Sequence, residues 1–353
     1  MKFTLADLRS LNDLPADTVI DARSPSEFAE DHVPGAINLP SLSDAERAEV
    51  GTIYVQDDRF KARKIGAAYV ARNVAGYLQN ELADKPGGWR PMVYCWRGGQ
   101  RSNAFATILH QIGWRVRVLD GGYRAYRRLV VQRLYDNTLP IRPVLLDGNT
   151  GTAKTRLLAL LAERGWQVID LEGLANHRGS ALGGVAGGQP GQKLFEGRLA
   201  QVLSGMDPAR PVVIEAESNK VGQRIVPPAL WSAMCAAPTV EISAPLAERA
   251  RYLARAYSDI TATPDHLARQ LDLLRHIRGN AQVDEWQGMA ATGEFEALAG
   301  ALILRHYDPA YTKARGRKPR GPEQHVGIAA LDDAGLQRAL PDLEEALTRA
   351  ARD

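Results

Sequence analysis

Short apolar runs alternate with helical patterns through the first third of the chain. TVIDAR (18–23), PMVYC (91–95) and VRVLDGG (116–122) read as buried strands. Between the second and third, SNAFATILHQIG (102–113) spaces its apolar residues as a helix does. Strands alternating with helices predict a parallel α/β sheet. A break falls in NTLPIRP (137–143), where two prolines follow a helical pattern. The alternation then restarts. PVLLDG (143–148) reads as a strand and TRLLALLAERG (155–165) as a helix closed by Gly165. QVIDLE (167–172), PVVIEAE (211–217) and PTVEIS (238–243) read as further strands. From about 245 the pattern is helical, in LAERARYLARAY and HLARQLDLLRHI. The predicted organisation is a parallel α/β domain over 1–136, then a second α/β domain with a helical C-terminal part over 137–353.

Composition narrows the class. A chain of 353 residues is long for one domain and comfortable for two. No run approaches the roughly 18 apolar residues of a membrane span, and the N-terminus MKFTLADLRSLNDLP lacks the apolar run of a signal peptide. A cytoplasmic, monomeric protein with no membrane partner is expected. The two cysteines, Cys95 and Cys235, form neither a disulfide framework nor a metal cluster. The net charge of +3 decides little, but its distribution is uneven. Basic residues gather in KARK (61–64), RVRVLDGGYRAYRR (115–128) and KARGRKPR (313–320). Interleaved with Tyr69, Tyr77, Tyr123, Tyr126 and Tyr311, they suggest a nucleic-acid surface, with cations on phosphates and rings on bases.

The first chemistry-bearing motif is YCWRGGQRS. Cys95 directly follows an apolar strand and precedes a helix. Backbone N–H groups at such a junction, with the helix N-terminus, favour the thiolate, which is the reactive form. Trp96, Arg97, Gly98, Gly99, Gln100, Arg101 and Ser102 form the candidate anion cradle. The glycines permit its curvature, and Arg101 is expected to close it with a two-pronged anion contact. The flanking segments resemble the rhodanese family over about residues 5–130. IDARSPSEFAEDHVPGAINLP (20–40) is similar to its first signature through Asp21, Arg23, Glu27, Phe28, His32, Pro34, Gly35, Ala36 and Asn38. LDGGYRAYR (119–127) is similar to its closing signature. The Cys-x5-Arg loop is one residue longer than in ordinary sulfurtransferases of that fold. It has the length of phosphatase-like relatives that hold tetrahedral oxyanions.

The second motif is DGNTGTAKT (147–155), between a strand and a helix. Gly148, Asn149, Thr150, Gly151, Thr152, Ala153, Lys154 and Thr155 fit the phosphate-binding loop G-x-x-x-x-G-K-[ST], with Ala153 in place of the last glycine. Its ligand is a diphosphate or a nucleotide. Ala153 crowds the loop if its φ is positive. Glu215 and Glu217 stand where such proteins place the acid that handles Mg²⁺ or acts as a general base; no metal site is assigned. The glycine-rich stretch 171–199, carrying His177, Arg178, Ser180, Gln189, Gln192 and Lys193, is expected to form a mobile loop over the phosphate site.

The two motifs in one chain resemble the tRNA 2-selenouridine synthase family. VGTIYVQDDRFKARKIGAAYV (50–70), LANHRGSALG (174–183), IEAESNKVG (214–222) and HYDPAY (306–311) are similar to that family's segments in order, with Ala153 and Asn219 as departures. The resemblance implies an enzyme that replaces sulfur by selenium in wobble 2-thiouridine of tRNA. It implies geranyl diphosphate and selenophosphate as co-substrates, an S-geranyl intermediate, and no tightly bound cofactor. It implies Cys95 as the nucleophile for selenium, its cradle as the selenophosphate site, and a selenophosphate-supplying enzyme as a candidate partner. The competing reading is a Cys-x5-Arg phosphatase-like or sulfurtransferase domain fused to an ATP-dependent kinase. A third is a non-catalytic binding module; such degenerate rhodaneses usually lose the cysteine, which is kept here.

Overall fold

The computed structural model describes residues 2–136, 138–180, 182–261, 264–315 and 323–352. It divides into two compact units, 1–138 with 190–205, and 139–189 with 206–353.

The first unit is built on a five-stranded sheet of β1 (Lys2–Phe3), β2 (Thr18–Asp21), β3 (Ile37–Asn38), β4 (Pro91–Tyr94) and β5 (Arg117–Leu119). Its order is β1-β5-β4-β2-β3, and every pairing is parallel. The two longest strands are apolar and buried throughout their centres, as a sheet covered on both faces requires. Ile20, Val93, Phe105 and Leu109 are fully buried in its core. Two helices, Asp44–Gln56 and Arg59–Gln79, form a hairpin. Ser43 and Glu46 cap the first reciprocally, and Asp58 caps the second.

Helix Gln192–Ser204 belongs to this unit although its sequence lies in the second part of the chain. Phe195, Leu199 and Leu203 give it a buried apolar stripe. The buried Glu196 pairs with Arg127 and accepts the Tyr135 hydroxyl at 2.7 Å, and Lys193 pairs with Glu30 at 2.5 Å. The expected loop over 171–199 is therefore corrected from Gln192 onward.

The second unit carries β6 (Arg142–Gly148), β7 (Gln167–Ile169), β8 (Pro211–Glu215), β9 (Lys220–Val221), β10 (Arg224–Ile225), β11 (Thr239–Ser243) and β12 (Glu323–Gly327). The main sheet has the order β12-β11-β6-β8-β7, again parallel, with β6 at its centre; β9 and β10 form an antiparallel hairpin. The fold class is as expected: two parallel α/β units, the second with a helical C-terminal part. Two details differ. QVIDLE is a strand only to Ile169, because Asp170 accepts the Gly173 N–H at 2.7 Å and caps a helical turn, Leu171–Leu174. The C-terminal part also contains β12, a sheet edge beside β11, followed by helix Asp333–Ala350, whose leucines cover the sheet. Among the described residues no helix is long and apolar enough to cross a membrane.

Candidate functional site

Cys95 leaves β4 buried, with its sulfur 3.2 Å from the Ser102 hydroxyl. The loop then turns into helix Gln100–Gln111. Two glycines make the turn possible. Gly98 has φ +64°, and a Cβ there would lie 2.5 Å from the Leu119 carbonyl; a Cβ on Gly122, φ +57°, would collide with the Cys95 carbonyl. The closing signature grips the loop directly, since Tyr123 N–H donates to Cys95 O at 2.9 Å and Arg124 N–H to Trp96 O at 3.1 Å. Trp96, Arg97 and Gln100 are exposed, and Gly99 and Arg101 half-buried. Arg101 is not an open fork. It donates to Glu27 at 3.1 Å, and Arg47 pairs with the same carboxylate oxygen at 3.0 Å. Burial pushes the Glu27 carboxyl up, but Arg101 and Arg47 outweigh it and hold it below its ordinary value.

Behind the cradle lies a buried ion pair, Arg23 to Asp21 at 2.6 Å. The Tyr94 hydroxyl donates to Asp21 at 2.6 Å, and the Tyr123 ring sits 3.9 Å from the Arg23 guanidinium. Tyr123 and Tyr126 are 3% and 0% exposed. The expectation that they stack on bases is corrected: both are core residues of the first unit. Of the 313–320 run, Arg317, Lys318 and Arg320 lie outside the described residues, as does the side chain of Arg315.

The phosphate loop leaves β6 at Gly148 and enters helix Lys154–Glu163. Gly151 has φ +88° and Ala153 φ +62°, so the loop does demand a left-handed residue where alanine stands. Lys154 Nζ donates to the Gly148 carbonyl at 2.6 Å and lies 5.9 Å from the Tyr311 ring centre. Burial opposes its charge, but Tyr311, Glu172, Glu217 and Asp147 outweigh it and raise its pKa. An ammonium ion thus stays at the loop. A cavity of about 260 Å³ opens above, lined by the loop and by Asn176, His177, Arg178, Ser180 and Tyr257. The glycine-rich segment therefore covers the phosphate site as expected.

Carboxyls fill the strand ends beside the loop. Glu172 accepts from Thr155 Oγ1 at 3.0 Å and its N–H donates to Glu215 at 2.6 Å. Burial raises the Glu172 carboxyl above its ordinary value although Lys154 and Thr155 oppose the rise. Burial and the Glu172 charge push Glu217 up to about 8. Burial, with the charges of Asp170 and Glu172, raises Glu215 well above its ordinary value. No group of three or more metal-type side chains is arranged to hold an ion among the described residues.

Sequence reasoning missed the loop's brace. Arg249 is buried and clamps the Thr150 carbonyl at 2.8 and 3.0 Å, while pairing with Asp308 at 2.7 Å. Asp308 also accepts from Asn149 at 2.9 Å. HYDPAY was the available signal, because Asp308 and Tyr311 both come from it.

Two family models match the chain, the rhodanese-like domain over 4–129 and the tRNA 2-selenouridine synthase AAA domain over 141–270. A tRNA 2-selenouridine synthase of Aeromonas salmonicida is 32% identical, the alignment covering 87% of this chain and 89% of that one. The chain belongs to this family. One of Alcanivorax borkumensis is likewise 32% identical, over 87% of this chain and 91% of that one. A third, of Psychromonas ingrahamii, is 35% identical over 71% and 67%.

Proposed function

We propose that this enzyme converts wobble 2-thiouridine of tRNA to 2-selenouridine in two steps. Geranyl diphosphate first alkylates the sulfur at the phosphate loop. Selenium of selenophosphate then attacks C2 at the Cys95 cradle and displaces the geranyl thiolate, and water cleaves the Se–P bond to release phosphate. S-alkylation makes chemical sense, because it turns a thiocarbonyl sulfur into a group able to leave.

The observation that carries this reading is a second, apolar cavity beside the loop. Phe295, Leu298, Leu302 and Leu267 line it, and it shares Leu253 and Tyr257 with the phosphate cavity. A nucleotide would bring a polar base and ribose, whereas an isoprenoid tail needs only apolar walls. The cavity is small, about 60 Å³, so it suits the end of the tail, with the remainder in the larger space. The Lys154 ammonium at the loop would offset the charge that develops on a departing diphosphate. For Mg²⁺ the donors would be Thr155 and Glu172. The reading requires tRNA and two co-substrates, a supplier of selenophosphate, and no resident cofactor.

Cys95→Ser tests it. Nucleoside analysis of tRNA treated with this variant should show S-geranyl-2-thiouridine accumulating and 2-selenouridine absent. Normal 2-selenouridine formation would overturn the assignment of Cys95.

A further inference from the structure

The helical hairpin of the first unit leaves a groove of about 950 Å³ that runs to the Cys95 loop, with Gln100 and Arg101 in its wall. Its lining contains three arginines, Arg47, Arg63 and Arg101, and no acidic residue. Helix Arg59–Gln79 carries Arg59, Lys61, Arg63, Lys64 and Arg72 with no acid at all. Two of these five cations are taken up by the hairpin's own acids. Glu46 pairs with Arg72, Glu49 accepts from Tyr69 and Asp57 pairs with Lys61. At the groove's mouth Tyr54 and Val55 are 43% and 82% exposed, and the Arg59 guanidinium lies 5.5 Å from the Tyr54 ring centre.

Two helical glycines line the same groove. A glycine inside a helix costs about 0.5–1 kcal/mol relative to alanine. A Cβ on Gly51 would meet nothing within 4 Å, and one on Gly66 would meet only Val50, at an ordinary 3.5 Å or more. The fold's own packing asks for neither, so both keep space open for something outside the chain.

We propose that this groove binds the single-stranded anticodon loop of the substrate tRNA and leads its thiolated base to the Cys95 cradle. This rests on the function proposed above. Arg47 and Arg101 share the single carboxylate of Glu27, so with Arg63 the groove keeps a positive excess that suits a phosphate backbone, and an exposed ring and methyls beside it suit unstacked bases.

The test uses the full-length protein and an anticodon stem-loop RNA with photoreactive 5-iodouridine at the wobble position. Crosslinked peptides are expected within 42–70 or 95–104; crosslinks confined to other segments would overturn the proposal. Gly51→Leu, which fills the groove, should weaken binding by about tenfold or more. Arg63→Glu should lower the salt dependence of binding by roughly one unit of log–log slope. Unchanged affinity in both would also overturn it. Gly51→Ala guards against misfolding, since it should raise thermal stability while impairing RNA binding. If wild-type protein makes no 2-selenouridine yet crosslinks in the groove, the proposed reaction fails and the groove stands.

Discussion

At Ala153 three effects of similar size compete. A left-handed alanine costs about 1–2 kcal/mol. Replacing it with glycine removes that strain, but gives back about 0.5–1 kcal/mol through the freer unfolded chain and about 0.8 kcal/mol through the lost buried methyl. Ala153 is 4% exposed and packs into the sheet core, so the methyl counts. Ala153→Gly should therefore leave stability within about 1 kcal/mol of the wild type, whereas Ala153→Val, branched at Cβ, should lose about 1–3 kcal/mol. Urea unfolding midpoints check both, and a large loss in the glycine variant would refute the left-handed assignment. The departure from the usual motif is thus a tolerated strain at a position whose neighbours, Lys154 and Gly151, remain as the loop chemistry requires.

Parallel strands deliver their C-terminal ends to one edge of a sheet, which is why β7 and β8 bring Asp170, Glu172, Glu215 and Glu217 together beside the phosphate loop. Crowding has a measurable consequence. Glu217 is pushed from 4.5 up to about 8, so the folded state holds its proton more tightly than the unfolded chain. Its contribution is full below the unfolded value and is lost as pH rises toward about 8, by at most about 1.4 kcal/mol per unit. The ligand-free protein should therefore lose stability across that window, and Glu217→Gln should flatten the profile. An equal slope in the variant would show that another group titrates. Legibility in the sequence also followed the elements. The strand leading into Cys95 and the one ending at Gly148 were readable because buried parallel strands are continuous apolar runs, and both motifs sit at strand–helix junctions. Two-residue strands such as β1 and β3 have too few positions for any period to show. Arg249 was invisible because a helical arginine announces nothing until the fold carries it to Thr150. Tyr123 and Tyr126 misled because a basic neighbourhood in sequence does not reveal which face of a helix is buried.

At the scale of the molecule, the two chemistries lie in separate compact units, each with its own sheet and core. On the proposed route the first step depends on the phosphate loop and the second on the thiol cradle, and an S-geranylated RNA links them. Lys154→Ala should block geranylation, because removing the ammonium exposes the developing diphosphate charge at the moment it needs a counter-ion. Supplying S-geranylated tRNA should bypass the defect, since the remaining step relies on Cys95. Mixing Lys154→Ala with Cys95→Ser protein should restore 2-selenouridine from 2-thiouridine tRNA, one variant making the intermediate and the other consuming it. Failure of Lys154→Ala on the pre-geranylated substrate would mean that the loop serves both steps. Normal geranylation by that variant would instead refute the diphosphate role of Lys154 and make a nucleotide the better ligand for the loop.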